Sequence, residues 1–104
     1  MKKFESTGIV YGHLWGGGKA AYQSKKITSN NKKNLLIEAN KKLLDGSLDA
    51  GNGYECLTGA LLNIKTITTK LIKGKKFINE DFKAVFIGKL TENEKDFLIE
   101  CVYN

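Results

Sequence analysis

The residues best suited to chemistry lie between Gly8 and Tyr22. This stretch holds the only Trp, the only His, two of the four Tyr, three consecutive glycines and a lysine. The backbone N–H groups of Gly16, Gly17 and Gly18 can converge on an anion because no side chains shield them, and Lys19 adds a positive charge. The pattern therefore predicts an anion site at this loop.

Two aromatic residues, Trp15 and Tyr22, flank the glycines and could stack on the ring of a base. The loop is neither a Walker A loop, since the spacing to Lys19 is wrong, nor a dinucleotide fingerprint, since no helix pattern follows at once. A flexible hairpin tip clamped by its own aromatic pair would show the same residues. Both interpretations stay open at this stage.

A second glycine-rich loop, residues 45–55, offers carboxylates, an amide and a tyrosine. Asp45 and Asp49 fall at ligand positions of an EF-hand, but Ala50 and Cys56 stand where its glycine and bidentate glutamate belong. We therefore predict a ligand loop and no metal site. The predicted ligand-contacting residues are Trp15, Gly16, Gly17, Gly18, Lys19, Tyr22, Asn52, Gly53 and Tyr54.

Catalysis would require a nucleophile and a positioned base. The only His is His13, which lies on a predicted strand beside large aromatic residues, where a packed or surface histidine is the more common role. Asp45, Asp49 and Glu55 share a loop, but their spacing does not show that they converge. We predict a protein that is not an enzyme and needs no cofactor, and a small hydrolase is the second alternative.

The charge of the chain favours anionic partners. Its net charge is +6 over 104 residues, and all 17 basic residues are lysine. Lysine suits phosphate contact, whereas the absence of arginine argues against bidentate reading of base edges. Nucleotides, nucleic acid and acidic proteins are the partners this balance suggests. Abundant Lys, Asn and Ile are also typical of an AT-rich genome, so part of the lysine bias can be mutational.

The length predicts one domain spanning residues 1–104. No apolar segment is long enough to span a membrane, and the first residues lack the apolar region of a signal peptide. We therefore expect a cytoplasmic protein without a membrane partner. Cys56 and Cys101 have no metal-ligand spacing, and their apolar neighbours predict buried, unbridged thiols.

Hydrophobic periodicity predicts the elements that position these residues. Alternation predicts strands over about 5–15 and 19–28, with Gly8 and Gly12 leaving room for a close neighbour. Spacing of three and four residues predicts a helix over about 31–45, closed by a left-handed Gly46. The lysines on its outer side fit either a solvated face or nucleic-acid contact.

The second half repeats the pattern. Residues 57–72 alternate as a strand, Lys73-Gly74-Lys75 predicts a turn, and a strand from Phe77 is expected to break at 79–81, resume at 82 and end at Gly88. Thr91 and Glu94 form a capping box that starts a helix over about 92–102. The order β-β-α-β-β-α predicts an α+β fold with an antiparallel sheet of about four strands and helices on one face.

The pattern Gly-x-Val-Tyr-Gly, Trp-Gly-Gly-Gly and Gly-Asn-Gly-Tyr-Glu resembles small proteins of phages and other mobile elements, some of which inhibit bacterial defence, anti-CRISPR proteins included. The resemblance covers roughly residues 8–60 and implies a binding protein. Many such inhibitors are acidic DNA mimics, and this chain is basic. The resemblance leaves open capture of a nucleotide signal or blockade of a host defence protein.

The sequence thus predicts a small binding protein that captures a nucleotide or nucleic acid at the glycine-rich aromatic loop. A protein–protein inhibitor acting through a sheet edge or aromatic face is the alternative. A homodimer is also predicted, because the aromatic face of the first strand has more large side chains than one short helix covers, and because edge strands favour sheet-to-sheet association.

Overall fold

Two long central strands organise one antiparallel sheet. The computed structural model describes residues 1–51 and 54–103, with all side chains except those of Tyr54, Glu55 and Tyr103. In chain order the elements are β1 (Lys2–Leu14), β2 (Lys19–Gln23), β3 (Ile27–Ser29), α1 (Lys32–Asp45), β4 (Tyr54–Ile72), β5 (Lys75–Gly88) and α2 (Glu92–Tyr103).

The strand order is β2-β1-β4-β5, and β3 pairs with β1 on the same side as β2. This confirms the predicted α+β class, single domain and element order, apart from one additional short strand. The strand predicted over 19–28 is two strands because the segment after α1 pairs with the chain between them. Ala50 N–H donates to the Gln23 carbonyl (3.0 Å), and Lys25 N–H donates to that of Leu48 (2.7 Å).

Helix α1 begins and ends where the sequence predicts. Asn31 is its N-cap, and its side-chain oxygen accepts hydrogen bonds from the N–H groups of Lys33 (2.8 Å) and Asn34 (3.2 Å). Gly46 closes the helix in the left-handed conformation, with φ 80°. One side of α1 packs on the sheet and forms the main core with Val10, Ile27, Leu35, Ala39, Leu43, Leu48, Ala60, Leu62, Ile64 and Ile87.

Close packing of β1 against β4 requires glycine at two positions. Gly8 has φ 138°, and a Cβ there would collide with the Leu61 carbonyl oxygen. A Cβ at Gly12 would collide in the same way with the Cys56 carbonyl oxygen. The expectation that these glycines admit a close neighbour is confirmed, and the neighbour is the backbone of β4.

The two helices lie on opposite faces of the sheet, so the prediction of helices on one face is wrong. The Tyr11 ring on β1 contacts Phe97 of α2 edge-on, with centroids 5.7 Å apart. Lys95 of α2 lies over the Phe86 ring of β5. Tyr11 and Phe86 point away from the face that holds Val10 and Ile87, because successive strand residues alternate. Helical periodicity shows that one side is apolar but not which sheet face it covers.

The same contacts correct the argument for the predicted homodimer. The aromatic face of β1 is covered in part by α2, since Tyr11 is half-buried against Phe97. That face is therefore less exposed than the sequence suggested, and the homodimer stays a prediction.

Strand β5 is continuous, so the predicted break at residues 79–81 is wrong. Each of these residues has a partner on β4: Asn79 faces Thr68, Glu80 faces Ile67 and Asp81 faces Thr66. Glu80 is also held by Lys65, whose Nζ lies 2.7 Å from Glu80 Oε2. The pairing with β4 is unbroken along this segment, and it outweighs the low strand propensity of Asn, Glu and Asp.

The outer part of the β4–β5 hairpin, residues 66–82, is called the arm below. It gives the molecule its length, 58 Å against 27 and 20 Å in the other directions. A two-residue turn closes it, with positive φ at both Lys73 (50°) and Gly74 (78°), as hairpins with a primed turn require. Every residue from Lys70 to Ala84 is exposed.

Both cysteines are free, as predicted, but the prediction that they are buried is wrong, because Cys56 and Cys101 are exposed. Cys101 is exposed because α2 rests on the sheet through a narrow strip that buries Leu98. Among the described residues, no helix is long and apolar enough to cross a membrane.

Candidate functional site

The glycine-rich loop forms the tip of the β1–β2 hairpin. Leu14 N–H donates to the Gly18 carbonyl, and Gly17 N–H donates to the Leu14 carbonyl, both at 3.1 Å. Gly17 and Gly18 have positive φ, and no atom lies within 4 Å of a Cβ built on any of the three glycines. The tip is therefore open to solvent, but one of the three glycine amides is already used within the turn.

Lys19 does not point freely into this loop. Its Nζ lies 3.3 Å from Oε2 of Glu94 on α2. Glu94 Oε1 in turn accepts a hydrogen bond from Thr91 N–H (2.9 Å), and Glu94 N–H donates to Thr91 Oγ1 (3.2 Å), which confirms the predicted capping box. The Thr91 hydrogen bond, and then Lys19, lower the pKa of Glu94. The positive charge of Lys19, which was predicted to bind an anion, is thus already paired with a carboxylate of the protein.

The structure separates the two flanking aromatic residues. Tyr22 faces Val10 across the strands, so it lies on the α1 face, and its ring packs against Gly51. Trp15 lies beyond the end of β1 with 71% of its surface exposed. Lys19 faces His13 and reaches α2 on the opposite face from Tyr22. Trp15, Lys19 and Tyr22 therefore do not converge on one ligand position.

The second predicted loop lies beside this hairpin, as the predicted site requires. Gly51 touches Tyr22, and the backbone of Tyr54 pairs with Leu14. Asn52 and Gly53, and the side chain of Tyr54, lie outside the described residues. The contribution of these three residues to a ligand site stays a prediction.

Two carboxylates of the second loop, Asp45 and Asp49, stabilise its own turns, whereas the side chain of Glu55 lies outside the described residues. Asp45 Oδ1 accepts from Ser47 N–H (2.8 Å), and Asp49 Oδ1 accepts from Gly51 N–H (2.9 Å). The hydrogen bonds from Ser47 lower the pKa of Asp45. Within residues 1–51 and 54–103, no three His, Cys, Asp or Glu side chains come close enough to hold a metal ion.

His13 lies directly across from Cys56 on β4, a neighbour the sequence did not indicate. Both residues are exposed, and no hydrogen bond joins their side chains in the described part of the chain. Nucleophilic catalysis needs a base that is held by a third group in a site shielded from water. Among the described residues no third group holds His13, and its side chain is exposed to water.

A better-formed surface lies on the arm, on the face shared with α1. Lys2, Thr68 and Asn79 stand side by side across β1, β4 and β5, and Lys70 and Phe77 face each other one row further out. Rows on one face are about 7 Å apart, twice the rise per residue. We call these five residues the platform. They line a hollow of ≈ 540 Å³.

The platform combines a flat ring with unpaired positive charge. Phe77 has 52% of its surface exposed, and Lys2 and Lys70 make no ion pair with any described residue. The arm carries four lysines against two acidic residues, Glu80 and Asp81. The platform thus brings together the two features predicted at the glycine-rich loop, a positive charge suited to an anion and an aromatic ring suited to stacking.

The other face of the arm carries an exposed apolar strip. Leu71, Ile78 and Phe82 lie on the α2 side, and each has more than half of its surface exposed. Lys65 lies beside them and bridges Glu80 (2.7 Å) and Glu5 (3.9 Å). The hydrogen bond to Glu80 raises the pKa of Lys65. The two faces of one hairpin therefore offer different chemistry.

The comparisons with known proteins add no relative. No protein-family model, curated protein or solved structure was found to match this chain. Function must therefore be argued from the surfaces described above.

Proposed function

We propose that the protein is a non-enzymatic binding protein that captures single-stranded nucleic acid on the platform. The observation that carries the proposal is the exposed Phe77 ring beside Lys2 and Lys70 on one open sheet face. A ring of this kind stacks on any base, and lysines neutralise the phosphates that link successive bases. This is the class of partner predicted from the sequence, at a different place.

The shape of the platform favours a strand over a free nucleotide. It is an open sheet face, and further lysines, Lys73 and Lys75, continue along the arm toward its tip. Thr68 and Asn79 place a hydroxyl and an amide between the charges, where they can hydrogen-bond base edges or sugars. The Asn79 nitrogen also donates to Asp81 (3.4 Å), so its carbonyl oxygen and second N–H are the groups left for a ligand. A single strand uses such an extended surface fully, because its phosphates repeat along it.

The test is fluorescence anisotropy of a labelled single-stranded oligonucleotide titrated with protein over a series of salt concentrations. The double variant Lys2→Gln/Lys70→Gln removes two phosphate contacts, so its affinity and its salt slope both fall. The matched control is Lys33→Gln/Lys41→Gln, which removes the same charge from the exposed side of α1. The control retains the salt slope.

Base stacking is tested separately, with two phenylalanine variants on β5. Phe77→Ala costs about 1–3 kcal/mol of binding free energy if a base stacks on it. Phe82→Ala is the matched control, because Phe82 also has more than half of its surface exposed (62%) but lies on the opposite face. Equal binding by wild type, Phe77→Ala and Lys2→Gln/Lys70→Gln would overturn the proposal. Loss of binding in Lys19→Ala and Gly17→Val instead would return the site to the glycine loop.

A protein partner is the second candidate, and the apolar side of the arm favours it. Leu71, Ile78 and Phe82 form an exposed apolar strip on an otherwise charged surface, which is typical of a docking surface. A host defence protein, as the phage resemblance implies, would be such a partner. Binding at this strip is weakened by Leu71→Asp and depends little on salt, whereas nucleic-acid binding shows the reverse.

A further inference from the structure

The outer edge of β5 is long and open. Within the described residues β5 pairs only with β4, and ten consecutive β5 residues, 75–84, are exposed. No proline interrupts it. An edge of this length presents a row of backbone N–H and C=O groups that can pair with another strand.

The side chains along this edge carry a charge pattern that complements itself. Two lysines, Lys75 and Lys76, lie on one side of Ile78, and two acidic residues, Glu80 and Asp81, lie at the same distances on the other side. The charge sequence therefore changes sign about Ile78. An antiparallel copy of the strand, centred on the same residue, brings each lysine opposite a carboxylate.

We propose that two copies of this chain form a homodimer by antiparallel pairing of their β5 edges, with Ile78 opposite Ile78 at the two-fold axis. Lys75 then faces Asp81 of the second copy, and Lys76 faces its Glu80. Directly opposite residues share a sheet face, and this register respects that rule. The Lys75–Asp81 pairs form on the α1 face and the Lys76–Glu80 pairs on the α2 face.

Neighbouring registers lack this complementarity. Centring the pair on Asn79 places Lys75 opposite Lys83 and Lys76 opposite Phe82. Centring it on Glu80 places two glutamates against each other, and centring it on Phe77 leaves no opposite-charge pair between residues of β5. Like charges directly opposite destabilise a strand pair. The charges thus select one register and discourage indiscriminate edge pairing.

This register has a consequence for the platform. Phe77 of one copy lies opposite Asn79 of the other on the α1 face, so the two platforms meet across the two-fold axis. One nucleic-acid strand could then cross both. The dimer itself does not depend on the proposed function, because it is measured on nuclease-treated protein without ligand.

The test is sedimentation velocity of the wild type and three variants across a concentration series that reaches about 1 mM. Lys75→Asp and Asp81→Lys each place like charges opposite each other twice in the symmetric pair, so each raises the dimer dissociation constant at least tenfold. The combined Lys75→Asp/Asp81→Lys variant restores opposite charges with the net charge of the wild type, and it restores the dimer. Neither residue takes part in an ion pair within the described chain, so the fold is retained, which thermal melting checks.

A second pair of variants separates edge pairing from stacking of the apolar strips. Ile78→Lys places two lysines together at the two-fold axis and dissociates the dimer, whereas Leu71→Lys, on β4 of the same face, leaves it intact. A monomer mass for the wild type at every concentration overturns the proposal. So does a dimer that survives both single charge reversals, or one that Leu71→Lys abolishes.

Discussion

Lys19 Nζ lies 3.3 Å from Glu94 Oε2, although 75 residues separate the two in sequence. The contact ties the end of the glycine-rich turn to the first turn of α2, and through Glu94 to the capping hydrogen bonds of Thr91. The lysine predicted to bind a ligand therefore has a structural partner. Because Glu94 is titratable, the stability that this contact provides is expected to depend on pH.

Glu94 has a folded-state pKa below its ordinary value of 4.5, because Thr91 N–H and then Lys19 stabilise its charged form. The stability that this shift provides is present above the unfolded-state pKa and is lost as the pH falls through the folded-state pKa. We expect the free energy of unfolding of Glu94→Gln to depend less on pH below about 4.5 than that of the wild type. Urea titrations at a series of acidic pH values measure the difference.

Other carboxylates, Asp45 included, contribute equally to the pH dependence of the wild type and of Glu94→Gln. Their contribution therefore cancels in the difference between the two proteins. Lys19→Ala lowers the stability at neutral pH slightly and reduces, without abolishing, the effect of Glu94→Gln, since the Thr91 hydrogen bond remains. Parallel pH profiles for the wild type and Glu94→Gln would contradict the expected coupling.

Gly8→Ala is expected to destabilise the protein by about 2–5 kcal/mol, the sum of backbone strain and overpacking. Gly8 has φ 138°, and a Cβ there meets the Leu61 carbonyl oxygen. Gly16→Ala is the control, because nothing lies within 4 Å of a Cβ at that turn position, and its effect stays within about 0.5 kcal/mol. Chemical denaturation measures both, and a similar cost for the two variants would mean that β1 and β4 pack less closely.

Ser6→Ala is expected to stabilise the protein by about 1 kcal/mol. The Ser6 hydroxyl is fully buried beneath α1 and is the one buried side-chain oxygen or nitrogen of the described residues without a hydrogen-bond partner. Removing an unsatisfied polar group removes its desolvation cost. The measurement is the denaturation midpoint in urea.

Ser24→Ala is the matched control for Ser6→Ala. Ser24 is also buried, but its Oγ donates to the Lys25 carbonyl at 3.0 Å. Its removal is expected to destabilise the protein by about 1 kcal/mol. If Ser6→Ala costs stability as Ser24→Ala does, the Ser6 hydroxyl has a partner in solution.

Both thiols are expected to react in the folded protein with a water-soluble disulfide reagent. Cys56 and Cys101 are exposed and unbridged, so reaction requires no unfolding. The release of chromophore under native conditions should equal that in denaturant. A native reaction limited to one thiol, with the second appearing only in denaturant, would restore the sequence-based expectation of burial for that cysteine.

The sequence predicts the elements better than their placement. Asn31, Gly46 and the Thr91 capping box mark the helix ends by local hydrogen bonding, which depends on neighbours along the chain. The face that α2 covers depends on the path after Gly88, and periodicity does not encode it. The Lys19–Glu94 contact across 75 residues is likewise invisible to any local pattern.

The platform could have been predicted from the turn. Once Lys73 and Gly74 are taken as a two-residue connection, Ile72 faces Lys75, and counting outward places Lys70 opposite Phe77 and Thr68 opposite Asn79. The predicted break at 79–81 concealed this register. The addition of Lys2 to the same row depends on the register between β1 and β4, in which Lys2 pairs with Thr68. The sequence does not indicate this register, because the two strands are distant along the chain.

The two edges of the sheet are unequal, and this limits how many copies one molecule can pair with through its edges. On the β5 side the edge is long and open, whereas on the other side the strands are short and residues 48–50 pair with the chain between β2 and β3. A subunit with one usable edge associates once through a two-fold axis and leaves no growing end. The proposed pairing of two β5 edges therefore terminates in a closed pair and does not propagate into a filament.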